Sequence, residues 1–135
     1  MHTHARFDPA TGGAGADLTR DHARLDGILD DVRSLLADDE VERAEYVYRD
    51  FFEGLLRHVR VEEQILFPAL DRHALLQAPT AAMRAEHRRI VSLAGGLKRA
   101  LENERTAQAR AALDALTTLL ALHDRRESSP DVRLA

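Results

Sequence analysis

Four histidines and two glutamates in this sequence share a repeated spacing. His58-x-x-x-Glu62 is echoed by His123-x-x-x-Glu127, and Asp21-His22 is echoed by Glu86-His87, each 65 positions from its counterpart. A His and a Glu four residues apart share one face of a helix. Four neutral imidazoles and two carboxylates make a mixed nitrogen and oxygen donor set, which suits iron, manganese or zinc. Two equivalent sets meeting across a pseudo-twofold axis suit a pair of metal ions bridged by two carboxylates. The chain has no cysteine. Disulfides, thiolate zinc sites and thiol nucleophiles are therefore excluded. Any metal must be held by imidazole and carboxylate alone, which leans the site toward iron.

The elements that must position these groups are helices. The 135 residues include 22 Ala and 20 Leu against 7 Val and 3 Ile, with 4% aromatics. That is helix-forming chemistry with little strand-forming content. Periodicity predicts four helical stretches, about Leu18–Ala37, Val41–Leu70, Ala81–Leu101 and Thr106–Glu127. Pro68 bends or ends the second near its last turn, and Asp39 with Glu42 reads as a capping-box start for it. A connector leads to Pro79-Thr80, with Thr80 as N-cap of the third stretch, which Gly95-Gly96 weakens. A turn near Asn103 separates the third from the fourth, and Ser128-Ser129-Pro130 ends the fourth. Four helices of this length with short links predict an all-α, antiparallel up-down-up-down four-helix bundle. Residues 1–16 read as a mobile arm, 17–128 as the bundle and 129–135 as a tail.

A bundle seam advances in alternating steps of three and four. Setting the phase by the histidines gives Leu18, His22, Leu25, Leu29, Val32, Leu36 in the first helix. The second gives Val41, Ala44, Tyr48, Phe51, Leu55, His58, Glu62, Ile65, Ala69. The third gives Met83, His87, Ile90, Ala94, Leu97, Leu101, and the fourth Ala109, Leu113, Leu116, Leu120, His123, Glu127. Every other position on the seam is apolar or aromatic. At ~1.5 Å per residue, the four histidines lie roughly 24–29 Å from the end that holds the Asp39 and Asn103 turns. The two glutamates lie about one turn further. Charged groups are not buried without partners, so six of them at one level demand mutual pairing or a metal.

A lone seam histidine is more often a packed core residue, and a lone His-x-x-x-Glu is more often a surface pair. The shared phase, height and offset carry the metal reading here. His73 falls in the connector, and His2 and His4 fall in the arm. Glu63 and Glu86 point about 100° away from the seam, toward solvent or the outer edge of a ligand. Tyr48, Phe51, Phe52 and Phe67 read as core packing. Arg88-Arg89 and Arg125-Arg126 read as solvated faces. The net charge of −4 gives no footprint for nucleic acid. No stretch has the ~18–20 apolar residues of a membrane span, and residues 1–16 lack a secretory h-region. A cytoplasmic protein with no membrane partner is expected.

The stretches Asp21-His22-Ala-Arg-Leu25, His58-Val-Arg-Val-Glu62-Glu63-Gln-Ile-Leu-Phe67-Pro68, Glu86-His87-Arg-Arg-Ile90 and His123-Asp-Arg-Arg-Glu127 resemble the hemerythrin-like family, the HHE cation-binding domains. The resemblance spans about Leu18 to Glu127. It implies a four-helix bundle holding a non-haem di-iron centre that binds, senses or reacts with a small molecule such as O2, peroxide or NO. By the match, His22, His58, His87 and His123 would be terminal ligands, and Glu62 and Glu127 would bridge. If the chain is an enzyme, it would be a di-iron oxidoreductase acting on peroxide, NO or O2. The alternative is an iron or zinc storage or sensing module with an incomplete or mononuclear site. The pattern departs from the oxygen carriers in the third helix, which has one histidine; Met83 and Val91 stand one turn either side of His87. It also departs at Glu127, which is followed at once by Ser128-Ser129-Pro130.

Overall fold

The computed structural model describes residues 13–128. The first twelve residues of the expected arm, and the expected tail 129–135, lie outside the described residues. Five α-helices follow in order: α1 (Gly13–Ala37), α2 (Val41–Val61), α3 (Phe67–Asp71), α4 (Gln77–Glu102) and α5 (Thr106–Glu127). A π-helical turn, Glu62–Leu66, joins α2 to α3, and a 3₁₀ turn, Ala74–Leu76, precedes α4. Among the described residues there is no strand. α1 packs against α2 and α5, and α4 packs against the same two. The short links make neighbours antiparallel, so the expected up-down-up-down bundle is what forms. α1 starts five residues before Leu18, so residues 13–16, assigned to the arm by sequence, are its first turn.

The two tight turns of the bundle are copies of each other. Asp39 (φ 57°) and Glu104 (φ 54°) both adopt the left-handed conformation. The next residue then bonds back into the helix: Glu40 N–H donates to Leu35 O and Arg105 N–H to Ala100 O, each at 2.8 Å. This is the Schellman helix stop, made here without glycine. It overturns the capping box expected at Asp39–Glu42. Glu40, not Asp39, precedes α2 and forms no side-chain cap, while the Asp39 carboxylate accepts a bond from Arg110 at 3.0 Å.

Thr80 is not an N-cap either. α4 begins at Gln77, and Pro79 sits in its first turn, where a missing N–H costs nothing. Thr80 instead donates to Gln77 O (2.9 Å) and to the Asp71 carboxylate, which also accepts Arg84 at 2.7 Å. Gly95 and Gly96 leave α4 unbroken. Beside them, the Tyr48 hydroxyl donates to Ala94 O across 2.7 Å.

The main core holds Leu25, Leu29, Val32, Leu36, Ala44, Tyr48, Phe51, Leu55, Ile90, Ala94, Leu97, Leu101, Ala109, Leu113 and Leu116, on the predicted seams, together with Ala100 and Leu119, which lie off them. The side chain of Leu18 lies outside the described residues. Gly54 allows α1 to approach α2 closely, since a Cβ there would sit 2.8 Å from Leu25 Cδ2. A second, smaller core of Phe67, Leu70, Leu76 and Met83 lies beyond the histidine level.

The seam is wrong in two places: in α5 Leu119 is buried and the predicted Leu120 only half-buried, and a larger departure follows Glu62. Ile65 is 42% exposed and Ala69 is exposed, whereas Phe67 and Leu70 are buried. The π turn explains this. Phe67 N–H donates to Glu62 O, a five-residue step, so the inward face passes from Glu62 to Phe67 and then Leu70. In an uninterrupted α-helix the Pro68 ring would collide with the carbonyl of Gln64. The wider turn avoids that collision and shifts the register by one residue.

Candidate metal centre

The six residues singled out by spacing converge between the two cores. Glu62 lies at the middle and is fully buried. Its carboxylate is 3.0 Å from His58 Nε2, 2.6 Å from His87 Nε2, 3.4 Å from His123 Nε2 and 3.8 Å from His22 Nε2. Glu127 lies 3.0 Å from His123 Nε2 and 3.3 Å from His22 Nε2. The groups form two overlapping clusters. One is His22, His58, Glu62 and Glu127, and the other is Glu62, His87, His123 and Glu127. Within each cluster the potential ligand atoms lie within 4.8 Å of one another. Both clusters share both carboxylates. The imidazoles pair as well, with ring centroids 4.3 Å apart for His22–His58 and 4.6 Å for His87–His123.

Each of the four clustered histidines turns Nε2 inward and Nδ1 toward an outer carboxylate. Asp21 lies 2.7 Å from His58 Nδ1, Glu63 lies 2.8 Å from His87 Nδ1, and Glu86 lies 2.9 Å from His123 Nδ1. Asp124 lies 3.4 Å from His22 Nδ1. Each outer carboxylate is the sequence neighbour of an inner residue, so one helix turn supplies both shells. Glu63 and Glu86 thus each hold an imidazole of the cluster rather than facing solvent. Arg126 does not merely face solvent, since its Nε donates to the second oxygen of Glu86. Asp21 and Asp124 carried no assigned role in the sequence. Their adjacency to His22 and His123 was the available signal, but which imidazole each reaches depends on helix packing. His73 has no part in the cluster. Phe67, as expected, is packing, and its ring stacks on His87 at 5.1 Å between centroids.

The donor set fits a cation. His87 and His123 commit Nδ1 to Glu63 and Glu86, and their Nε2 atoms face each other at 3.1 Å. Two lone pairs at that distance repel unless a proton or a metal ion lies with them. Without metal, protons fill the role. Burial alone would depress His58 and His123, but hydrogen bonds donated to Asp21 and Glu62 hold His58 up at about 10, and those donated to Glu127 and Glu62 hold His123 up at about 11. Burial, together with the adjacent Glu62 carboxylate, pushes Glu127 up to about 8. Burial would also raise Glu62, but bonds from Glu127 and the histidines keep it well below the ordinary carboxylate range. His22 goes the other way. Burial and the neighbouring His58 press it down to about 4, leaving a neutral imidazole.

A cavity borders the cluster and touches all four of its histidines. Its apolar wall is formed by Leu25, Phe51, Leu55, Ile90 and Leu120, and its polar wall by the histidines, Glu62, Asp26 and Asp124. One turn either side of His87 stand Met83, fully buried in the smaller core, and Val91, half-buried.

A four-helix bundle with a buried histidine and carboxylate cluster at one level defines a class of metal-binding bundles. The family comparison is specific. The model of the hemerythrin HHE cation-binding domain matches residues 14–132. The chain belongs to the hemerythrin HHE cation-binding domain family. Comparison with curated proteins and with solved structures gives no match. No helix among the described residues is long and apolar enough to cross a membrane.

Proposed function

We propose that this domain holds a pair of iron ions and uses them to bind, sense or react with a small molecule such as O2, peroxide or NO. The observation that carries this reading is the sharing of Glu62 and Glu127 by two clusters that each add their own histidine pair. His22 and His58 would end one position, His87 and His123 the other, and the two glutamates would bridge. A bound iron pair supplies electrons and open coordination positions. The chain's own residues do the rest. Asp21, Glu63 and Glu86 hold three imidazoles with Nε2 inward, as outer carboxylates do for metal-bound histidines. The apolar wall of Leu25, Phe51, Leu55, Ile90 and Leu120 keeps the space beside the four histidines suited to a small, weakly polar molecule.

Each position receives only two imidazoles. With Met83 and Val91 one turn either side of His87, the set is one histidine short of the oxygen carriers, which favours reaction over reversible carriage. Turnover of peroxide, NO or O2 faster than by free iron would make the protein an oxidoreductase. Purification from iron-supplemented cells should give about two irons per chain and the absorption of a coupled ferric pair. Near-zero iron after reconstitution, with no such absorption, overturns the proposal.

A second reading is a storage or sensing module with a single iron or zinc. It is favoured by the 20% exposure of His22 and by the place of Glu127 at the last residue of α5. There the helix dipole opposes a carboxylate. A reproducible single ion per chain would select it.

A further inference from the structure

We infer that the two metal positions are unequal. The His87–His123 position keeps its ion, while the His22–His58 position exchanges its own, with His22 as the ligand that lets go. This inference rests on the paired centre proposed above.

The asymmetry lies in what stands behind each imidazole. His87 and His123 are both 2% exposed. Their Nδ1 atoms are fixed by Glu63 at 2.8 Å and Glu86 at 2.9 Å. Glu86 is itself buried and pinned from outside by Arg126, and Phe67 lies against the His87 ring. His87 cannot turn without breaking a charged hydrogen bond and disturbing the smaller core, nor His123 without breaking its bond to Glu86. His58 is held in the same way by Asp21 at 2.7 Å.

His22 differs in every respect. Its side chain is 20% exposed, and its Nδ1 is 3.4 Å from Asp124, beyond the usual hydrogen-bond range. Its Nε2 is the furthest of the four from Glu62, at 3.8 Å. All four histidines line the cavity, but His58, His87 and His123 are otherwise buried, so His22 is the one with solvent to turn into. An ion bound by several groups leaves as its ligands detach one after another. The group with the weakest outer hold and the readiest access to water detaches first.

The test uses the full chain loaded anaerobically with two equivalents of ferrous ion, then challenged with excess 2,2′-bipyridine. Release should proceed in two phases of one ion each, the first faster by about tenfold or more, the scale set by loss of an outer carboxylate. His22→Ala should take up one ion and release it at the slow rate. Glu63→Ala, which leaves all six inner groups in place, should accelerate the slow phase by about tenfold and leave the fast phase unchanged. Helicity by circular dichroism confirms that each variant is folded, and Glu63→Ala alone decides the matter if His22→Ala is not. Two ions leaving in one phase, or a slow phase untouched in Glu63→Ala, would overturn this inference alone. Uptake of fewer than two ions by the unaltered chain would overturn the paired centre and this inference with it.

Discussion

At the scale of single residues, Glu62 is the group on which the centre depends. It belongs to both clusters and contacts three imidazoles at 3.4 Å or less. Glu62→Ala should abolish binding at both positions, read by metal content. It should also destabilise the metal-free protein by about 3 kcal/mol, because buried, protonated histidines lose their counter-charge; chemical denaturation measures this. Protonation gives a second prediction. His58 and His123 are held at about 10 and about 11, above their ordinary 6.5. Their stabilising contribution is complete below pH 6.5 and is lost as pH climbs through those values. Glu127, held at about 8 against an ordinary 4.5, acts in the same direction, since the folded state keeps a proton that the unfolded chain sheds. The metal-free protein should therefore lose stability steadily from pH 7 to pH 10. His22, at about 4, contributes only below pH 6.5, where its effect has the opposite sign. Denaturant midpoints measured across the range would show the fall, and a flat or rising profile would contradict it.

At the scale of elements, the π turn is where reading the sequence stopped working. The inner six residues were legible because each sits on an apolar seam of ordinary helical period. That period cannot anticipate an added residue. A seam drawn through Glu62 with steps of three and four lands on Ile65 and Ala69, while the chain buries Phe67 and Leu70. Pro68 was visible as a disturbance, but a proline bends, ends or widens a helix according to what must be packed beyond it. Here a buried Phe67 against His87 and Met83 decides the outcome. The outer carboxylates were half legible for a similar reason. Glu63 and Glu86 stood beside candidate ligands, yet whether they met solvent or an imidazole depended on the neighbouring helix. Substitution distinguishes the two registers. Phe67→Ala should cost about 3–5 kcal/mol as a buried aromatic, and Ile65→Ala no more than about 0.5 kcal/mol as a surface change. The reverse order in thermal or denaturant unfolding would restore the uninterrupted seam.

At the scale of the whole molecule, the 65-residue offset first noted in six side chains also governs the backbone. Asp39 and Glu104, the two left-handed residues, obey it, as do the bonds that close the turns behind them. The bundle is thus two hairpins, α1 with α2 and α4 with α5, and each brings two histidines and one of the shared glutamates. Between them runs the 3₁₀ turn with Leu75, 92% exposed. That connector carries none of the six inner residues, so the polypeptide is divisible there. Fragments 1–74 and 75–135, expressed as separate chains, should remain apart or poorly folded when mixed without metal. They should associate when ferrous ion is added, because each carries one of the two shared glutamates and only two of the four histidines around them. Size-exclusion chromatography with and without the ion would report it. The domain would then behave as a split pair whose reassembly reads out the metal.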